Sequence, residues 1–153
     1  MAITVRVQAE DFDAAAEVAA LSAGRTDIGA VSSFLGLCRD EGGSLAALEL
    51  EHYPGMAQKQ IEAIAVEAVQ RFQLFGLTVI HRFGRVAPGE QIVLVAASAS
   101  SRVGAFRATE FVMDFLKTDA PFWKKEHLVS GKSGDWVEAK ADDAKRRKAW
   151  RST

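Results

Sequence analysis

Three lysines, Lys117, Lys124 and Lys125, stand around an apolar Ala120-Pro121-Phe122-Trp123 segment. A solvated charge run would not carry a proline and two aromatics at its centre. A core strand would not carry this many ammonium groups. A lysine beside aromatics either snorkels to water or is held where its proton affinity can move. The second arrangement makes a reaction site, or a site for an anion. Two other stretches point the same way. In Phe34-Leu35-Gly36-Leu37-Cys38-Arg39 an arginine ends an apolar strand before a Gly-rich loop, placed to offer its fork to a phosphate. In Ser98-Ala99-Ser100-Ser101-Arg102 small residues and an arginine precede a helix, which suits an anion, with a plain serine cap as the alternative. Lys117 ends that helix, where a cation also suits the helix dipole. That reading does not account for Lys124. Two arginines and two lysines together suggest convergence on an anionic, phosphorylated small molecule.

Other chemistries lack their residues. No Walker-type or GxGxxG loop is present, and no GxSxG elbow. One cysteine and three scattered histidines (His52, His81, His127) give no metal-ligand spacing, so no metal is expected. His52 reads as a structural hydrogen-bonder. Cys38 reads as a buried, inert thiol, although Arg39 beside it would favour a thiolate. The formal net charge is -1, which argues against a dedicated nucleic-acid binder. From Lys117 to Thr153, ten Lys/Arg face six Asp/Glu, so this stretch is +4 and the rest -5. Such a zone fits a small anion or an acidic partner segment. A lone cysteine cannot form an internal disulfide. The start, MAITVRVQAEDF, has no targeting pattern, and no apolar run reaches the roughly 18 residues of a membrane span. The expectation is a cytoplasmic protein with no membrane or nucleic-acid partner. Its 153 residues form one domain, 1–153, with 142–153 a basic helix or tail.

The elements that must position these residues follow from periodicity. Ile3, Val5 and Val7 alternate with polar residues, a half-buried strand. Asp11 or Asp13 caps an alanine-rich helix running to about Ser22. Residues 28–38 form a strand in which Gly29 and Gly36 mark bulges or close backbone approaches. Residues 45–53 form another. Met56 to Phe72 is a helix with Ile61, Ile64, Ala65, Ala68 and Phe72 on one face. Residues 77–83 form a strand, and Val86-Ala87-Pro88-Gly89-Glu90 a type II turn. Residues 91–99 form a strongly apolar, central strand. A helix over about 103–117 turns Phe106, Thr109, Met113 and Leu116 inward, and Pro121 stops any continuation. An extended stretch over 122–129, a short strand at Trp136-Val137 and a final basic helix complete the chain. Strands joined directly between helices predict an α+β fold with a mixed or antiparallel sheet.

Several segments occur in the order and spacing of one family: Leu50-Glu51-His52-Tyr53-Pro54-Gly55-Met56, His81-Arg82-Phe83-Gly84, Pro88-Gly89-Glu90, Met113-Asp114-Phe115-Leu116-Lys117 and Ala120-Pro121-Phe122-Trp123-Lys124-Lys125-Glu126. The chain resembles the large, catalytic subunit of molybdopterin synthase from about Gly29 to Trp150. The resemblance implies an α/β-hammerhead fold and a homodimer. It implies that each copy binds one ubiquitin-like small subunit, giving a heterotetramer. The small subunit's C-terminal Gly-Gly thiocarboxylate enters a pocket and supplies sulfur, twice, to cyclic pyranopterin monophosphate. The product carries the dithiolene of molybdopterin, and the resemblance implies no metal or organic cofactor for this step.

Carried over residue by residue, the resemblance makes Arg39 and Arg102 anion-binding arginines. It makes Lys117 and Lys124 the key lysines, and Phe34 and Met113 apolar pocket residues. Two positions depart. Ser101 stands where the family often has histidine, and serine cannot serve as an imidazole acid or base. Lys140 stands where arginine is common, keeping the charge and losing the fork. Lys117 is assigned proton transfer near the thiocarboxylate, and Lys124 substrate orientation and stabilisation of developing negative charge. Lys125 is expected to point the other way by strand alternation. Two other readings stay open. One is a non-catalytic scaffold for a ubiquitin-like protein. The other is an RNA-binding module using Trp123, Trp136 and the basic tail.

Overall fold

The computed structural model describes residues 2–137 and 141–152, with side chains except at 141–143 and 152. Four strands form one sheet: β1 (Ala2–Gln8), β2 (Ala30–Leu37), β4 (Gly76–Arg82) and β6 (Gln91–Ala99). Their spatial order is β1-β4-β6-β2. β1 runs parallel to β4, and the other pairings are antiparallel. A smaller antiparallel sheet has the order β5-β3-β7, built from β3 (Leu45–His52), β5 (Gly84–Val86) and β7 (Phe122–Leu128). The helices are α1 (Ala14–Ala20), α2 (Met56–Phe72), α3 (Arg102–Leu116) and α4 (Ala141–Ala149). A 3-10 turn follows at Trp150–Ser152. This is the expected α+β class with a mixed sheet.

The apolar run of β6 lies centrally, as its composition predicts, and β4 beside it is buried throughout. β1 alternates exposed and half-buried positions, as an edge strand should. α2 and α3 cover one face, where Ile61, Ala65, Leu77, Val95, Phe111 and Val112 form the main core. α1 covers the opposite face over Ile80, Leu94 and Ala96. The α1 cap is Asp13, which accepts from the Ala16 amide at 3.0 Å. Gly29 and Gly36 behave as predicted. A Cβ at Gly29 would lie 2.1 Å from the Ser100 carbonyl oxygen, and the β2 register shifts between Gly36 and Leu37. Gly89 has φ 87°, and the Glu90 amide donates to the Ala87 carbonyl at 3.0 Å, which closes the expected turn.

Four details differ from expectation. Gly84 turns at φ 84° and begins a separate strand, β5, where no strand was predicted. Trp136-Val137 is no strand; Val137 makes one isolated bridge, to Lys124. The buried face of α3 keeps Thr109 and Leu116 of the predicted stripe, with Met113 partly buried against the core, and leaves out Phe106. Phe106 is 63% exposed, while Ala105, Ala108, Phe111, Val112 and Phe115 are buried. Small residues decide this: a Cβ at Gly104 would lie 2.9 Å from the Phe72 carbonyl oxygen, so this face packs backbone-close. Lastly, the chain end docks, since Trp150 is buried in the main core. Among the described residues no helix is long and apolar enough to cross a membrane.

Candidate active site

The site forms where β2, the end of α3 and the start of β7 meet. After its bulge, β2 is pinned to the Pro88-Gly89 turn. The Cys38 amide donates to the Glu90 carbonyl at 2.8 Å, and the Gly89 amide donates to the Cys38 carbonyl at 2.7 Å. Arg39 follows on the exposed side and pairs with Glu41. At the end of α3 three amides, of Thr118, Asp119 and Ala120, converge on the Phe115 carbonyl at 3.1, 2.8 and 3.2 Å. Thr118 Oγ1 donates to the Asp114 carbonyl at 2.7 Å. This wraps the helix end, and Pro121, with no N–H, lets β7 begin at Phe122. From α4, Arg147 Nε donates to Asp119 at 2.8 Å and braces the turn.

The turn brings two lysines from different elements to one place. Lys117 and Lys124 line a single cavity of about 810 Å³ together with Arg39, His81, Phe122 and Trp123. A second hollow of about 510 Å³ runs along β2 past Phe34 and Gly36, and it too is lined by Arg39 and Lys117. Lys117 therefore borders both. Lys125 points elsewhere, its Nζ 5.4 Å from the Trp136 ring centroid, as alternation predicts.

The remaining expected residues are not gathered here. Ser101 and Arg102 are exposed at the start of α3, whose 15 residues separate them from Lys117 by roughly 20 Å. Convergence within one chain therefore holds for Arg39, Lys117 and Lys124, and not for Arg102. Ser101 caps α3 without a side-chain hydrogen bond. Met113 packs against the main core and lines neither cavity. Lys140 lies outside the described residues.

Cys38 is buried, and burial pushes its thiol above its ordinary range, in keeping with an inert thiol. It nonetheless lines both cavities. His52 is a ring-stacker more than a hydrogen-bonder. It packs 4.5 Å from Phe83, its buried Nδ1 has no hydrogen-bond partner, and the nearest Glu51 carboxylate oxygen is 3.8 Å away. His127 is the tied histidine, between Glu49 at 2.7 Å and Ser133 Oγ at 3.0 Å. The residues named for the RNA-binding reading have partners within the chain. Trp123 meets Tyr53 edge-on at 4.9 Å, Lys125 lies over Trp136, and Arg147 of the basic end is engaged by Asp119. Sequence reasoning passed over His81, which is buried in the cavity wall. The only signal was its place in the His81-Arg82-Phe83-Gly84 segment.

Comparison with known proteins points to one family. Residues 7–119 match the family described as MoaE protein. The molybdopterin synthase catalytic subunit of Mesorhizobium japonicum is 61% identical over 153 residues, all of this chain and 96% of that protein. Its counterpart from Rhizobium meliloti is 65% identical over 145 residues, covering 94% of each. The solved structure of the molybdopterin biosynthesis MoaE protein from Burkholderia ambifaria superposes with a TM-score of 0.82 at 50% identity, over 99% of each chain. The resemblance read from the lysine, arginine and aromatic segments is thereby borne out, and the chain belongs to the MoaE family of molybdopterin synthase catalytic subunits.

Proposed function

We propose that the protein is the catalytic subunit of a molybdopterin synthase. It transfers sulfur from the C-terminal thiocarboxylate of a ubiquitin-like small subunit to cyclic pyranopterin monophosphate. The observation that carries this reading is Lys117 and Lys124 lining one cavity from two elements, with Arg39 at the same wall. Replacing an oxygen substituent by sulfur requires a proton at the leaving oxygen. It also requires stabilisation of the charge that develops on the donor's acyl group. Lys117 supplies the proton, and Lys124 stabilises the charge and orients the substrate. Arg39 exchanges its exposed Glu41 partner for the substrate phosphate. Phe34 provides an apolar wall along the β2 hollow, which admits the partner's extended tail. The relatives are named as a catalytic subunit, which presupposes a second subunit.

Arg102 joins the site across a homodimer. Beside it on α3, Val103 and Phe106 are 60% and 63% exposed, which suits a contact between copies. The complete enzyme is then a heterotetramer that works in the cytoplasm. The test is direct: purified chain and thiocarboxylated small subunit are mixed with the pterin precursor. Dithiolene product is expected, and its absence would sink the assignment. Ser101, in place of the family's frequent histidine, favours one second reading, a scaffold that binds the small subunit without turnover. Stable complex formation with no product would select it.

A further inference from the structure

His81 has no role so far, yet it stands at the wall that Lys117 and Lys124 share. It lies near the end of β4 and is 7% exposed. Its Nδ1 is 2.8 Å from the carbonyl oxygen of Arg82. A carbonyl only accepts, so Nδ1 carries the proton of the neutral ring, and Nε2 is left with a lone pair. The ring lies flat on Phe122, with centroids 3.8 Å apart and planes 15° apart. Phe122 is also stacked with His52 at 6.0 Å, across the β3–β7 pairing. Phe122 follows the turn that leaves Lys117 and precedes Lys124 by two residues, so His81 presses on the segment that spaces the lysines.

The surroundings keep this imidazole uncharged. Burial pushes its pKa down to about 4, and the charges of Lys117 and His52 push the same way, against the backbone bond to Arg82. The carboxylates of Asp40, Glu41 and Glu126 and the cations of Arg39 and Lys124 also line the cavity. Among them His81 supplies a buried acceptor without charge. Such a group favours an ammonium beside it, whereas an imidazolium would repel one.

Building on the sulfurtransferase reading above, we propose that His81 is a positioning residue for Lys117. Held in one tautomer by the Arg82 carbonyl and in one plane by the Phe122 ring, it offers Nε2 as the acceptor that orients the Lys117 ammonium and keeps it protonated for transfer.

The experiment uses the complex with thiocarboxylated small subunit. His81→Phe keeps a ring on Phe122 and removes Nε2. We expect kcat to fall by about tenfold with KM for the precursor within about twofold of wild type. The alkaline limb of the kcat–pH profile should move down by about one unit, because the ammonium loses its acceptor. His81→Gln, which restores an acceptor, should recover part of that shift. An unmoved alkaline limb overturns the proposal even if kcat falls, since a packing defect slows turnover without moving a lysine's titration. Should His81→Phe fail to fold, nitrogen NMR of the wild-type complex decides. An unprotonated Nε2 at neutral pH supports the proposal, and Nε2–H or imidazolium overturns it. A wild-type complex that makes no product sinks the sulfurtransferase reading and this one with it. An active wild type with an unshifted variant sinks this one alone.

Discussion

Trp150 donates its indole N–H to the Asp114 carboxylate across 2.6 Å, and both side chains are buried. Phe72 and Phe111 meet the indole edge-on at 5.8 and 5.4 Å. The chain end is thereby fastened to α3, the helix that ends at Lys117. Trp150→Ala should cost about 3–5 kcal/mol, from the lost core volume and from a buried carboxylate without its donor. Trp150→Phe keeps most of the volume and should cost about 1–3 kcal/mol. Urea unfolding followed by circular dichroism measures both. A Trp150→Phe protein as stable as wild type would mean that the hydrogen bond contributes nothing.

Lys117→Ala and Lys124→Ala should each lower sulfur transfer by about 100-fold or more, the range for removing a proton donor or a charge-stabilising cation. Neither change touches the core, so the complex with the small subunit should still form. Product formation and gel filtration are the two readouts. Wild-type turnover in either variant would remove that lysine from the mechanism.

Arg39→Ala should raise KM for the pterin precursor by roughly tenfold or more, the loss of a charge-assisted contact to phosphate. Arg39→Lys should recover only part, because an ammonium cannot make the bidentate contact. Glu41→Ala should lower KM slightly, since it frees the guanidinium from its carboxylate partner. A KM unchanged in all three would show that the phosphate lies elsewhere.

Arg102 and Lys117 stand at opposite ends of one 15-residue helix. If Arg102 serves a neighbouring copy's cavity, mixing inactive Arg102→Ala with inactive Lys117→Ala chains creates some sites with both residues intact. Partial activity, on the order of a quarter of wild type for random pairing with one intact site in each mixed dimer, is expected in such mixtures. No recovery after proven subunit exchange would mean that Arg102 does not serve a neighbouring copy's cavity.

His81 also makes stability depend on pH. Its folded pKa, about 4, lies below the ordinary 6.5, so between these values the unfolded chain binds a proton that the folded chain does not. The contribution is complete above pH 6.5 and is lost as pH falls toward 4. The slope from this group should approach ~1.4 kcal/mol per pH unit within that window. Urea unfolding from pH 4.5 to 7.5 of wild type and His81→Phe isolates it. The same slope in both would assign the dependence to other groups.

Much of the architecture was legible because its signals are local. The unbroken apolar run of β6 implies burial on both faces. The spacing of Ile61, Ile64, Ala65 and Ala68 implies the inner face of α2. Pro88-Gly89 implies its turn. In the α3 stripe Thr109, Met113 and Leu116 do face inward, and only Phe106 was misread, because the start of the helix packs through small residues at Gly104, Ala105 and Ala108. A periodicity argument weights Phe106 more than Ala105, and close helix packing reverses that order. β5 was invisible for a similar reason. Three residues carry no periodicity, and the break at Gly84 takes meaning only from the β3 edge it pairs with.

The sequence by itself determined the chemistry on offer: lysines beside a proline and aromatics, arginines after an apolar strand and before a helix, and segments distinctive enough to name the family. Which of these groups meet was decided by the tertiary structure. Pro121 and the wrapped end of α3 bring Lys117 and Lys124 to one wall, while the length of the same helix carries Arg102 away from it. His81 became part of the wall only because β4 delivers it against Phe122. Residue types set which protons and charges are available, and distance and burial set which of them act together, since both depend on how strands and helices pack across the whole chain.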